Sequence, residues 1–246
     1  MSNCDISVCM AVYNGALYIH PQIKSILSQL PLSSELIVSD DGSSDLTLSI
    51  VRSFNDPRIR ICQNQGNKGY SNNFENALGL ARGGYIFLSD QDDIWVDGKV
   101  DKMILALSYS DLVVSNAEYV DQNLQSLGIN LFGLRGGKQG LINNFIKSRY
   151  LGACMAFRNE MLKDLLPFPS NKKLCPHDFW ISIVGEACYK VTLISEPLIL
   201  YRRHGKNVSS GGGASSNSLL EKFVYRIYAM SCLISRCFQM KFRKSY

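Results

Sequence analysis

The stretch Tyr85-Ile86-Phe87-Leu88-Ser89-Asp90-Gln91-Asp92-Asp93-Ile94-Trp95 decides how this chain reads. A short run of strand-forming residues passes straight into a polar turn of three carboxylates and a glutamine, then back into apolar sequence. The same grammar repeats upstream. Ile6–Val12 is a β-rich run that ends near Asn14-Gly15, a turn signal. Leu36–Ser39 ends in Asp40-Asp41-Gly42-Ser43-Ser44-Asp45, and Ile59–Cys62 ends in Asn64-Gln65-Gly66-Asn67-Lys68-Gly69. Between these runs, apolar residues recur at three and four, one helical face each time: Ile23, Ile26, Leu27 and Leu30; then Thr47, Ile50, Val51 and Phe54; then Phe74, Ala77, Leu78 and Ala81. Ser44 or Asp45 suits the cap of the second helix, and Gly83-Gly84 the end of the third.

Strand and helix alternating three times before a fourth strand predict an α/β fold, a Rossmann-like, mostly parallel sheet flanked by helices and joined by right-handed crossovers. Ligands of such sheets sit beyond the carboxyl ends of the strands, where both acidic clusters fall. Downstream, 122–150 reads as loop-rich, Gly152–Phe157 as a strand and Asn159–Leu166 as a short helix broken by Pro167 and Pro169. A helix follows His177-Asp178, and Leu198–Tyr201 closes the domain. The organisation expected is a domain over 1–208, a Ser/Gly linker over 209–218 and a helical tail over 219–246. In the tail Leu220, Phe223, Val224, Ile227, Met230, Ile234 and Phe238 share a face, with Lys222, Arg226, Arg236, Lys241, Arg243 and Lys244 around and beyond it. Two readings stand for this amphipathic helix: peripheral contact with an anionic membrane, or packing on the domain or a second subunit.

Composition narrows the class. With 46% apolar and 19% charged residues the chain suits an ordinary globular domain with a full core. None of its eight cysteines stands in a C-x-x-C pair and most lie in apolar runs, which points to reduced thiols and a cytoplasmic protein. The N-terminus enters a strand rather than a signal peptide, and no run is long enough to span a bilayer. The net charge of +5 permits an anionic partner without selecting one. Its basic residues concentrate in the tail and around Arg202-Arg203, so nucleic acid is not an expected partner.

The chemistry-bearing residues follow from the loops. Asp90 and Asp92, spaced i, i+2 at a strand end, can turn toward one hard cation, Mg²⁺ or Mn²⁺, which prefers oxygen ligands. Asp41 can accept from a nucleobase or ribose, and Asn67 with Lys68 can touch a base or phosphate. Asp178, at a helix start beside Phe179-Trp180, suits a general base facing a sugar hydroxyl. Tyr201-Arg202-Arg203-His204-Gly205-Lys206-Asn207 gathers cations for a diphosphate, with His204 able to complete a metal shell.

Together Val8–Asn14, Val38–Asp45, Asn67–Gly69, Tyr85–Trp95, His177–Trp180 and Tyr201–Asn207 resemble, in order and spacing, family 2 of the inverting glycosyltransferases with the GT-A fold. The resemblance covers Ile6 to Ser209. It implies that Ala11 and Tyr13 line a nucleoside pocket, that Asp41 bonds a pyrimidine, and that Asp90 and Asp92 form the D-x-D motif with Asp92 on the metal. It also implies that Asp178 is the catalytic base and that Arg202, Arg203 or His204 offsets leaving-group charge. The Ser89–Trp95 version is similar to rhamnosyltransferases and other O-antigen or capsule enzymes. That implies a dTDP-rhamnose or UDP-hexose donor and a glycan acceptor, with a lipid-linked one the natural choice if the tail lies on the cytoplasmic face of the inner membrane. Asp97 departs from the family, which often has proline there. A sugar nucleotidyltransferase would carry a glycine-rich basic loop after the first strand, and Met10–Leu17 has none. A non-catalytic nucleotide-sugar-binding module would not need both Asp92 and Asp178.

Overall fold

The computed structural model describes residues 5–205 and 218–243. In chain order the elements are β1 (Ile6–Val12), α1 (Ile19–Leu27), β2 (Glu35–Asp40), α2 (Thr47–Ser53), β3 (Ile59–Gln63), α3 (Tyr70–Gly79), β4 (Tyr85–Ser89) and β5 (Ile94–Trp95). There follow α4 (Lys99–Leu107), β6 (Leu112–Val120), β7 (Ser126–Asn130), α5 (Leu131–Arg135), α6 (Leu141–Ile146), β8 (Met155–Arg158), α7 (Leu162–Leu165), α8 (His177–Cys188), β9 (Val191–Arg202) and α9 (Leu219–Arg243). One nine-stranded sheet runs β3-β2-β1-β4-β8-β6-β9-β5, with β7 added on β6.

The expected parallel unit is the half built from β1 to β4, whose three pairings are all parallel. Of these, β1, β2 and β4 are covered on both faces, so Val8, Cys9, Met10, Ile37, Val38, Phe87 and Leu88 are all fully buried and read as continuous apolar runs, while β3 at the edge is only half-buried. Beyond β4 the sheet turns mixed: β8 enters antiparallel to β4 and β6, while β9 runs parallel to β6 and antiparallel to β5. The α1 face buries Ile19, Ile23 and Ile26, and α3 buries Phe74, Ala77 and Leu78.

Several local expectations shift. Helix α3 ends at Gly79, before the Gly83-Gly84 pair. Gly83 serves a different purpose: a Cβ there would run into the backbone of Ile6 and Ser7, so the chain needs glycine to enter β4 beside β1. Helix α2 has no side-chain cap at Leu46. Asp45 still takes the Thr47 N–H at 2.9 Å with one carboxylate oxygen and the Ala16 N–H at 3.1 Å with the other, while the Ser44 N–H donates to Asn14. The stretch 122–150 holds β7, α5 and α6, and Gly152–Cys154 is a 3₁₀ turn leading into β8. Residues 206–217, which include Lys206, Asn207 and nearly all of the expected linker, lie outside the described residues, as does Lys244.

Helix α9 packs one face on the domain, burying Ala229, Leu233, Arg236 and Met240. Much of its basic character is turned inward. Arg236 donates to the carbonyls of Asp164 (2.6 Å), Leu166 (3.1 Å) and Pro167 (2.6 Å), Arg226 to that of Ile146 (3.1 Å) and Arg243 to that of Lys163 (2.7 Å). No described helix is long and apolar enough to cross a membrane. The described cysteines form no disulfide.

Candidate active site

The carboxyl ends of β1, β2 and β4 open on one side of the sheet, and the two acidic clusters meet there. Residues 13 and 14 join them. Gln91 grips Tyr13 like a short strand, accepting its N–H at 2.8 Å and donating to its carbonyl at 3.1 Å, while the Asn14 N–H donates to Ser43 at 2.9 Å. Gly15 is required beneath this clip, because a Cβ there would overlap the Gln91 amide. Tyr13 is left exposed, and Ala11, two residues back, is half-buried at the core edge. Asn73 ties the two strand ends together by donating to the carbonyls of Val12 (3.1 Å) and Ser39 (2.7 Å).

Asp40 closes its own turn by accepting from the Gly42 and Ser43 N–H groups. Asp41 is buried, with one oxygen accepting from the Asn64 side chain at 2.8 Å and the other from the Gly69 N–H at 2.7 Å. A carboxylate offers about four lone-pair directions, so acceptor capacity remains for a ligand. The Asn67 carbonyl completes this loop by accepting from Asn64. The exposed Lys68 brings its ammonium to 2.8 Å from the point where a Cβ on Gly42 would stand. Gly42, at φ 92°, therefore both permits the turn and leaves room for a cation beside Asp41.

The loop Asp90–Asp93 is held from below and behind. The buried Gln22 of α1 donates to the Ser89 hydroxyl at 2.8 Å and the Asp90 carbonyl at 3.1 Å. The Arg202 N–H donates to Asp93 at 3.0 Å, and its guanidinium donates to the Asp92 carbonyl at 2.8 Å and the Gln122 carbonyl at 2.6 Å. That guanidinium is buried and lies 4.9 Å from the Tyr18 ring centroid, so in its described contacts Arg202 braces the acidic loop. Arg203 is carried to the same strand end, its N–H donating to the Val120 carbonyl at 2.8 Å. His204 stacks on Tyr18 at 4.6 Å and sets Nε2 2.8 Å from Asp92 Oδ2, with both side chains largely shielded.

Asp178 lies in the first turn of α8, half-buried, with Oδ1 accepting the Phe179 N–H at 2.7 Å. It is close enough to Asp90 that burial first, then the charges of Asp92 and Asp178, raise the Asp90 carboxyl above the usual carboxylate range. Burial and the charges of Asp92 and Asp90 likewise push Asp93 well above the usual carboxylate range. His177, by contrast, is structural. It is buried, stacked on Phe74 at 4.3 Å and in contact with Ser71, and burial holds its pKa below the ordinary value, so it is a neutral clamp between α8 and α3.

One residue at the site escaped the sequence reading. Tyr70 opens α3, meets His177 edge-on at 5.6 Å, and has its hydroxyl pushed up to about 12 by burial and by the charges of Asp178 and Asp90. Its phenol therefore lies within reach of the charge of both carboxylates. Nothing local in Gly69-Tyr70-Ser71 signals this, because the proximity arises only when α8 docks on α3.

Among the described residues no group of three or more His, Cys, Asp or Glu side chains is gathered as a cage for a metal. The pair present, an Asp92 oxygen and a His204 nitrogen beside the raised carboxyls of Asp90 and Asp93, suits a divalent cation that keeps most of its positions for water and phosphate oxygens.

These carboxylates lie beyond the strand ends of an α/β sheet, where ligands of such sheets sit. The family model described as Glycosyl transferase family 2 matches residues 7–166. The chain belongs to this family. It is 30% identical over 214 residues to the dTDP-rhamnosyl transferase RfbG of Shigella flexneri, covering 80% of this chain and 72% of that protein. It is also 30% identical over 188 residues to the UDP-Glc:alpha-D-GlcNAc-diphosphoundecaprenol beta-1,3-glucosyltransferase WfgD of Escherichia coli, covering 76% of this chain and 72% of the relative. Among solved structures, S. aureus TarS in complex with UDP superposes with a TM-score of 0.66 at 21% identity, over 81% of this chain and 60% of that one. That likeness is one of fold, and it bears out the GT-A arrangement. The chain is a glycosyltransferase, with its strand-end cleft where such folds bind nucleotides.

Proposed function

We propose that this chain is an inverting glycosyltransferase that moves one sugar from a nucleoside diphosphate donor, dTDP-rhamnose or a UDP-hexose, to a hydroxyl of a lipid-linked glycan in surface polysaccharide (O-antigen or capsule) assembly. The observation that carries this reading is the convergence of Asp90, Asp92 and Asp178 beyond the strand ends, within reach of one another's charge. The printed activities of the rhamnosyl and glucosyl relatives support the two donor classes, and the diphosphoundecaprenol substrate of the second supports the acceptor.

In this reading the base stacks along Tyr13 and the edge of β1 at Ala11, and bonds Asp41, which Asn64 and Gly69 hold in place. Lys68, Asn67 and Arg203 line the path of the diphosphate, and Asp90 contacts the donor beside them. Asp92 and His204 would hold Mg²⁺ or Mn²⁺, which when bound offsets charge on the departing diphosphate. Arg202 keeps the Asp92 backbone in register for that task. Asp178 removes the acceptor proton as the hydroxyl oxygen bonds to the anomeric carbon. The bond from that carbon to the diphosphate oxygen breaks with its electron pair leaving on the nucleotide, so configuration inverts. Tyr70, within reach of the charges of Asp178 and Asp90, orients the acceptor hydroxyl.

The test is donor binding and turnover across UDP-, dTDP- and GDP-sugars with Mn²⁺ or Mg²⁺, comparing wild type with Asp92→Ala. Metal-dependent turnover of one donor, lost in the variant, supports the reading and names the sugar. Binding without turnover, with any acceptor, favours a binding module instead. Absence of binding to every donor overturns the assignment of this cleft.

A further inference from the structure

Helix α9 has two apolar faces. The first is the one packed on the domain, where Arg236 lies 5.3 Å from the Trp180 ring centroid, Arg226 lies 4.6 Å from that of Phe179, and the Tyr228 hydroxyl accepts the Asn171 N–H at 2.8 Å. These contacts fix the rotation of the helix about its axis, and so fix what the opposite side displays. That side carries Leu220, Phe223, Ile227, Ile234, Phe238 and Phe242, each more than half exposed, with Val224 and Met230 between them. At about 100° per residue all eight fall within a sector of roughly 120°, and at 1.5 Å per residue the stripe runs for about 33 Å. It continues onto α6, where Ile142 and Ile146 are 74% and 73% exposed. An open groove of about 410 Å³ between the two helices is lined by Leu141, Met230, Leu233, Ile234 and Phe238, with Lys241 at one end.

Ten large apolar side chains at this exposure present on the order of 1,000 Å², more than the few hundred Å² that isolated soluble surfaces tolerate. Such a surface has an occupant. Three features select its chemistry. The stripe is straight and parallel to the helix axis, so a flat interface buries it at one depth along its length. Glu221 is the lone acid in α9 against five basic residues, Lys222, Arg226, Arg236, Lys241 and Arg243, and Lys241 is exposed within the angular range of the stripe, which favours an anionic surface. Finally, no described helix can span a bilayer, so any membrane attachment through the described residues has to be peripheral.

We infer that the outer face of α9, with Ile142 and Ile146 of α6, is a docking surface for an anionic phospholipid bilayer, on which α9 lies in the plane of the interface. The docking stands on its own observations. It also fits the proposed lipid-linked acceptor, since it would keep the cleft beside the leaflet that holds such a substrate. Arg226, Arg236 and Arg243 are engaged with the domain, so the attraction is mainly apolar, and the excess of cations on α9, Lys241 beside the stripe among them, supplies the dependence on lipid charge.

The experiment is vesicle flotation of the full chain with phosphatidylcholine vesicles and with the same vesicles carrying phosphatidylglycerol. It compares wild type, the double variant Ile234→Glu/Phe238→Glu, and Lys241→Glu. The expected result is flotation that is stronger with phosphatidylglycerol, reduced about tenfold or more in the apolar-face variant and less dependent on lipid charge in Lys241→Glu. Ile234 and Phe238 are far exposed, so both variants are expected to retain wild-type thermal unfolding and soluble-donor turnover. That turnover separates a failure of docking from a failure of the transferase reading. No flotation of wild type, flotation unchanged in Ile234→Glu/Phe238→Glu, or a dimer by sedimentation that this variant abolishes in the absence of any flotation would each overturn the inference.

Discussion

Lys99 is fully buried at the start of α4, and its ammonium has no hydrogen-bond partner among the described residues. Burial brings its pKa down from 10.5 to about 8, against the opposing pull of Cys154 and Asp93. A shift of that size corresponds to about 3 kcal/mol of penalty on the charged form. The ammonium lies 5.2 Å from the Trp95 ring centroid, and a shielded cation–π contact returns about 1–2 kcal/mol. Lys99→Met, close in volume and unburdened by charge, is therefore expected to stabilise the protein by about 1–2 kcal/mol at pH 7. The sign follows from linkage. Between about pH 8 and 10.5 the folded state holds fewer protons on Lys99 than the unfolded state, so this group's contribution makes the wild type gain stability as pH rises. The advantage of the variant should then shrink toward pH 10. Urea unfolding of both proteins at pH 7 and pH 10, followed by tryptophan fluorescence, measures the difference directly. A variant less stable than wild type at pH 7, or a difference that does not move with pH, would refute the reasoning and assign Lys99 a compensating partner.

Two further outcomes follow from the geometry. Asp41→Ala removes the carboxylate held by Asn64 and Gly69, and steady-state kinetics should show donor KM raised about tenfold with kcat largely kept, since the group binds rather than reacts. Gly185→Ala places a methyl inside van der Waals contact of Leu112 Cδ2, where α8 crosses β6, and should cost about 1–3 kcal/mol in urea unfolding.

What the sequence disclosed and what it withheld have physical reasons. Strands β1, β2 and β4 were legible because burial on both faces makes each a largely continuous apolar run, β3 because Ile59 and Ile61 mark it at the sheet edge, and all four because the polar loops that end them stand out by contrast. Strand β6 gave no such signal: Ser115, Asn116 and Glu118 interrupt it, and Asn116 is spent on bonding the Ser195 carbonyl across an irregularity in the β6–β9 pairing. Strand β9 looked short for the same reason, since Glu196-Pro197 reads as a break but sits at that irregularity. At the site, the carboxylates were legible from their place after strands. The residues that hold them were not. Gln22, Asn73 and Gln91 act across 34 to 78 residues of sequence. Tyr70 reaches Asp178 only through the docking of two helices. The roles within His177-Asp178 likewise separate only in three dimensions, where the histidine is packed against Phe74 and the half-buried carboxylate comes within reach of the charge on Asp90.

The central claim is that Asp178 is the base of a sugar transfer whose donor is held by the Asp41 and Asp92 ends of the cleft. The most direct measurement is Asp178→Asn assayed in parallel for donor Kd and for transfer to an acceptor glycan. The account predicts donor Kd within about twofold of wild type and a transfer rate lower by at least about 10²-fold, the range set by losing a positioned general base. Transfer that persists at near wild-type rate, or donor binding lost together with it, would contradict the assignment.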